Sequence, residues 1–208
     1  MKLKKTNCLI CDRDTTKYIY ICDDCYLLFD KKVEKVVKEF KYVDFAYGCF
    51  YYSPLMKELI TKYKFGNKRY LSKLFSEQMI EKIFKENLHK TCDLTISVPI
   101  HNDTKKERGF NQIELIEKYI NEITKITPSI NNLIKTKLTK EQARLRESER
   151  YNNLKDAFLI LRPDEIKDKS ILLLDDMITT GQTIEECSKE LKENGAKKVM
   201  AISIATTT

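Results

Sequence analysis

Two adjacent aspartates, Asp175 and Asp176, follow the apolar run Ile171, Leu172, Leu173 and Leu174, and a threonine-rich turn follows them. The turn is read over Met177 to Gln182 and carries Ile178, Thr179, Thr180 and Gly181, with Thr183 directly after it. Neighbouring carboxylates can accept hydrogen bonds from the two adjacent hydroxyls of a ribose. Backbone N–H groups at a helix start, threonine hydroxyls and a residue with no side chain form a cradle for a phosphate monoester. The chemistry suggested is therefore recognition of a sugar phosphate.

The elements around the motif suit that task. An apolar run without polar alternation is a strand covered on both faces of a parallel sheet. Ile184, Cys187 and Leu191 recur at helical spacing up to a stop at Gly195, and Lys197 to Ala205 resumes as a strand. Such strand-helix-strand units bind ligands beyond the carboxyl ends of their strands. Competing readings are a Walker B-like aspartate pair, or a helix capped by Thr183 and Glu186. The five glycines supply neither a Gly-Lys-Ser/Thr phosphate loop nor a dinucleotide fingerprint.

A second constellation lies at the start of the chain. Cys8 with Cys11 and Cys22 with Cys25 form two CxxC knuckles separated by ten residues, the closed four-thiolate set of a structural zinc. The segment between them, with Tyr18, Ile19, Tyr20 and Ile21, reads as a small hairpin too short for its own core, so metal binding must supply its folding energy. A pair of disulfides or a redox CxxC are the alternatives, and iron is an alternative to zinc. Cys49, Cys92 and Cys187 have no partner spacing and read as buried small hydrophobes.

Leu27, Leu28, Val33, Val36, Val37 and Phe40 suggest an amphipathic connector helix from Tyr26 to about Phe40. Tyr42 to Tyr52 reads as a strand, and Ser53-Pro54 starts a helix that Gly66 ends. A further helix spans roughly Arg69 to Asn87. Leu94 to Pro99 is a strand whose end brings Ile100, His101 and Asn102 to the same side of the sheet as Asp175. His101 is either a proton donor or a surface hydrogen-bonding residue. Asp103 to Glu107 reads as a loop leading to Arg108, Asn111 and Gln112, which either reach a diphosphate or base edge or cap the next helix. Lys135 to Arg150 is the most basic segment: a lid, a nucleic-acid groove or a solvated helix face. Ala157 to Leu161 returns as a strand, and Pro163 to Lys169 as a loop.

The chain has 42% hydrophobic and 33% charged residues, a net charge of +7 and a pI near 8.9, a globular composition whose charge suits a polyanionic partner. No apolar run is long enough to span a bilayer and no leader is apparent, so the expectation is a soluble, unexported protein.

Taken together, the CxxC pair, Lys64-Phe65-Gly66, Pro99 to His101, Arg108-Gly109-Phe110-Asn111-Gln112, Thr139 with Gln142, Arg150 with Asn153 and Phe158, and the stretch from Asp175 to Thr183 resemble the ComF family along the whole chain. Thr104, Lys135 and Lys137 depart from positions where that family often has arginine. The resemblance implies an α/β fold: a type I phosphoribosyltransferase-like, mostly parallel sheet flanked by helices in residues 41–208, after a zinc finger and connector helix in residues 1–40. It implies phosphoribosyl diphosphate (PRPP) held by the motif from Asp175 to Thr183 and by the turn Ile100 to Asn102, with Mg2+ carried mainly by the ligand. Asp175, Asp176 and Arg108 are the expected catalytic groups if phosphoribosyl transfer occurs. It further implies a role in natural transformation, handling single-stranded DNA at the cytoplasmic side of the inner membrane, with DNA-uptake proteins as partners and no membrane insertion. A non-catalytic PRPP- or nucleic-acid-binding adaptor and a nucleotide-salvage transferase are the alternatives.

Overall fold

The computed structural model of the protein describes residues 6–15, 21–28, 33, 36, 38–66, 68–137 and 156–207. Its centre is strand β8 (Ser170–Ile178), in which Ile171 through Leu174 are fully buried. Parallel neighbours flank it, β4 (Leu94–Ser97) on one side and β9 (Lys198–Thr206) on the other. With β3 (Phe45–Tyr51) beyond β9 and β5 (Thr127–Pro128) beyond β4, the order is β3-β9-β8-β4-β5, all pairs parallel. The apolar run is continuous because helices cover both faces of this sheet.

On one face, α2 (Pro54–Phe65), α3 (Leu71–Lys85) and α6 (Gln112–Thr124) pack over Leu172, Leu174 and Ile202. On the other, α8 (Gln182–Glu193) and the antiparallel hairpin β6 (Leu133–Lys135) and β7 (Phe158–Ile160) bury Ile171, Leu173 and Cys187. Cys49, Cys92 and Cys187 are buried as expected. Short helices α4 (Leu88–Thr91), α5 (Asn102–Arg108) and α7 (Pro163–Ile166) complete the main body. Near the start of the chain, β1 (Thr6–Asn7) pairs with β2 (Asp14–Thr15), and α1 spans Asp23–Leu27.

The structure departs from the sequence reading at four places. The connector helix does not extend to Phe40 among the described residues: helix ends at Leu27, and Leu27 and Leu28 are 80% and 65% exposed. Val33 and Val36 instead donate their N–H groups to Cys49 and Ala46 of β3, whose free edge accepts them. Burial against that edge gave the two valines a spacing that mimics a helical stripe. β8 runs through Met177 and Ile178, which pair with Ala205 and Thr206, so the turn begins at Thr179. Asp103 to Glu107 lies in α5, because His101 caps that helix. A single helical turn, α7, occupies part of the expected loop from Pro163 to Lys169, entered through Pro163. The expected hairpin at Tyr18 to Tyr20 and the segment 138–150 of the basic stretch lie outside the described residues, as do Asn152 and Asn153.

Helix α2 starts as its sequence indicates, with Pro54 in its first turn and the Ser53 hydroxyl accepting from the Met56 N–H at 3.2 Å. Ser53→Ala is expected to lower stability by about 1 kcal/mol in denaturant unfolding, with an unchanged denaturant slope.

Candidate functional site

Asp175 and Asp176 occupy the carboxyl-terminal part of β8. The β4 end lies alongside, with Val98 N–H donating to Leu174 O at 2.8 Å, so the turn Ile100 to Asn102 leaves the sheet on the same side as the two aspartates. Asp176 is 7% exposed, and two donors converge on its Oδ2: Lys64 Nζ at 2.6 Å and Gln112 Nε2 at 2.8 Å. Lys64 comes from the last turn of α2 and Gln112 from the first residue of α6. Tyr63, fully buried, donates its hydroxyl to Gln112 O at 2.6 Å and ties the two helices together. Asp175 Oδ1 accepts from the Asp176 N–H at 2.8 Å. Burial and the neighbouring Asp176 carboxylate push the Asp175 pKa up to about 8, against a partial offset from Lys64 and Lys135.

The turn after β8 has the attributes of an anion cradle. Gly181 has φ of +79°, and a Cβ there would meet Phe40 Cε1 at 2.5 Å, so both backbone conformation and space exclude a side chain. Lys38 Nζ donates to Thr179 O at 2.7 Å, and Glu185 of α8 accepts from Lys41 N–H at 2.8 Å. Residues 38–41 thus brace the turn from outside. Gly181 is the N-cap of α8 with no side-chain cap bond, so the alternative box of Thr183 and Glu186 is not what starts this helix. Three buried polar atoms around the site have no partner within the protein: Thr180 Oγ1, Gln182 Oε1 and Gln112 Oε1. Orphaned polar groups of this kind point to a bound polar ligand.

The other expected residues fall at or beside this centre. Met177 and Ile178 are held in the β8 ladder, and Ile178 O accepts from Thr207 N–H at 3.2 Å. His101 Nδ1 accepts from Asp103 N–H at 3.2 Å, which gives it a capping role in α5. Asn111 caps α6 through Ile113 N–H and donates to Val98 O. Arg108 ends α5, and its side chain lies outside the described residues.

Lys135 sits at the end of β6, and burial lowers its pKa. It also lines a cleft of about 660 Å³ that opens beside Pro99, Ile100 and Asn102. On the wall of that cleft Glu117 is buried, accepting from Thr95 Oγ1 and Ser97 Oγ at 2.7 Å each, and burial raises its pKa. Neither the Lys64–Asp176 pair nor the Glu117 cluster is readable from local sequence, because each joins segments far apart in the chain. Polar residues at positions 95 and 97 of an otherwise apolar strand are the one signal that a polar partner lies opposite.

The four N-terminal cysteines form a second site. Their sulfur atoms all lie within 4.8 Å of one another, with Cys8 and Cys25 buried. Cys11 and Cys22 sulfurs are 3.6 Å apart, close to the roughly 3.8 Å edge of a tetrahedron with metal–sulfur bonds of about 2.3 Å. Ile10 N–H points at Cys8 Sγ and Arg13 Nε at Cys11 Sγ, donors suited to thiolates. Backbone and side-chain hydrogen bonds from Arg13 lower the Cys11 pKa to about 6. The cluster is positioned to bind a metal ion.

The raised pKa of Asp175 has a testable sign. Between its ordinary value of 3.8 and about 8 the folded protein binds a proton that the unfolded chain has released, so stability falls as pH rises through that window. Asp175→Asn should raise the melting temperature at pH 8 by at least about 2 °C more than at pH 4.5, read by calorimetry across that range.

Comparison with known proteins agrees with this geometry. The profile of the family described as phosphoribosyl transferase domain matches residues 115–207, from α6 through β9. The chain is 30% identical over 152 residues to "Competence protein F" of Haemophilus influenzae, covering 71% of this chain and 66% of that protein. It is 30% identical over 158 residues to "Competence protein ComFC" of Streptococcus pneumoniae, 76% of this chain and 66% of the relative. With "DNA utilization protein YhgH" of Escherichia coli strain K12 the identity is 26% over 161 residues, 75% and 69% of the two chains. The chain thus spans about two thirds of the length of the curated relatives it matches. A parallel sheet ending in paired aspartates and a glycine-bearing turn, a four-cysteine cluster before it and these relatives together place the chain in the ComF family of phosphoribosyltransferase-like proteins.

Proposed function

We propose that the site at the end of β8 binds PRPP with Mg2+, and that the protein acts in DNA uptake during natural transformation. The observation that carries the ligand is the buried, unpartnered Thr180 hydroxyl in a turn whose Gly181 admits no side chain, separated by two residues from the paired aspartates. Thr179, Thr180, Gly181, Gln182 and Thr183 would hold the 5-phosphate through backbone N–H groups and hydroxyls. Asp175 and Asp176 would take the ribose hydroxyls, and the turn Ile100 to Asn102 would contact the diphosphate. Mg2+, when bound with the ligand, neutralises diphosphate charge and makes it a better leaving group.

In phosphoribosyl transfer, an acceptor nitrogen forms its bond to the anomeric carbon as the bond to diphosphate breaks. Positive charge that develops on the ribose is stabilised by the carboxylates, and Arg108 with Lys135 is suited to the departing anion. A neutral Asp175, favoured by burial and the adjacent Asp176 carboxylate, still offers its carbonyl oxygen as an acceptor to a ribose hydroxyl.

Support for the cellular role comes from the names of the relatives, competence and DNA utilization proteins, and from the net charge of +7, which favours a polyanion. No helix among the described residues is long and apolar enough to cross a membrane. A cytoplasmic location, reached at the inner membrane through protein partners and with single-stranded DNA as a ligand, fits both observations. The competing reading, a PRPP sensor without turnover, draws on Asp176 being already held by Lys64 and Gln112.

Pyrophosphate release from Mg–PRPP, scanned over free nucleobases and single-stranded DNA, decides between transfer and sensing. Transfer predicts release with one acceptor class and a loss of at least about 100-fold in Asp176→Asn. Intact PRPP binding without release from any acceptor would establish the sensor.

For the four-cysteine cluster we propose structural zinc. Metal analysis should give about one zinc per chain. Cys8→Ser with Cys25→Ser should abolish it and shift thermal unfolding down, whereas a fully folded, zinc-free wild type would remove the assignment.

A further inference from the structure

We propose that Lys64 is the resident counter-ion of the ribose-binding carboxylates, a positioning residue that sets how strongly PRPP binding depends on divalent cation. The inference rests on the PRPP reading above.

Its ground is the geometry around Asp176. A carboxylate this buried is costly unless paired, and the cation that pairs it at 2.6 Å is carried by another element, helix α2. Both side chains are largely withdrawn from solvent, at 19% and 10% exposure, so the pair is not a screened surface contact. Position along α2 is fixed from both ends. Ser53 and Pro54 set the start, and the C-cap Gly66 ends it, where a Cβ would lie 2.6 Å from Lys62 O. The adjacent Tyr63 is locked in the core and bonded to Gln112, so the turn bearing Lys64 is held against the helix bearing Gln112.

Lys64 and Gln112 both address Oδ2 of Asp176. That leaves Oδ1 to accept from a ribose hydroxyl without breaking either contact. The ligand is a polyanion, and a site built from two carboxylates repels it unless a cation is present. Part of that compensation is built into the fold as Lys64, while Gln112 holds Asp176 through Nε2 and has its Oε1 without a protein partner. Burial and the neighbouring Asp176 carboxylate also raise the Asp175 pKa to about 8, which limits the negative charge Asp175 adds near neutrality.

The test is the ratio of PRPP dissociation constants without and with Mg2+, measured by calorimetric titration of the full chain in EDTA and in excess Mg2+. Wild type should bind in both, with a ratio below about tenfold. Lys64→Gln should raise that ratio by at least about tenfold, because the metal then becomes the sole compensating cation, while Lys64→Arg should keep it within about threefold of wild type. Asp176→Asn, which frees Lys64 from its partner, should move the ratio in the opposite direction and provides the readout should Lys64→Gln not fold. An unchanged ratio in Lys64→Gln or in Asp176→Asn, or a change as large in Lys64→Arg as in Lys64→Gln, overturns the assignment while leaving PRPP binding in place. Failure of wild type to bind PRPP in either buffer overturns both.

Discussion

The rest of the site depends on the energetic cost of placing two carboxylates at the end of a buried strand. β8 is fully buried from Ile171 to Leu174, and the next two residues are aspartates in the same ladder. Water cannot solvate them fully there, so the protein meets the cost in two ways. Asp176 is paired by Lys64 and Gln112, and Asp175 keeps its proton to higher pH. Such an arrangement is unfavourable for stability alone and makes sense as preorganisation for a ligand rich in hydroxyls.

The surrounding elements serve that placement. Parallel pairing brings the ends of β4 and β8 to one edge of the sheet, so their following turns converge. α2 and α6 each contribute one donor to Asp176, joined by the Tyr63 hydroxyl. Lys38 and Phe40 brace the turn after β8, and Val36 donates its N–H to the edge of β3.

Much of this was legible in the sequence because it is local. The apolar run before Asp175, the Ser53-Pro54 start of α2, the Thr179 to Gly181 turn and the two CxxC spacings each reflect constraints within a few residues. What sequence reading missed is long-range. Lys64 stands in the Lys64-Phe65-Gly66 stretch noted in the sequence, but its partner Asp176 lies 112 positions away and the pairing cannot be read there; Lys62, two residues earlier, contacts Leu9 O instead. Val33 and Val36 looked helical because two buried residues three apart fit a helix stripe, and only the free edge of β3, which accepts both of their N–H groups, explains their burial. Glu117 reads as one polar residue on an amphipathic helix until Thr95 and Ser97 are seen opposite it.

In our proposal the turn after β8 takes the 5-phosphate of PRPP. Its most direct test is competition: PRPP bound to wild-type protein in Mg2+ should be displaced by ribose 5-phosphate, and Gly181→Ala, which forces a side chain into Phe40 and the turn, should weaken both ligands together by at least about tenfold. A Gly181→Ala protein that folds and binds PRPP as tightly as wild type would contradict the account.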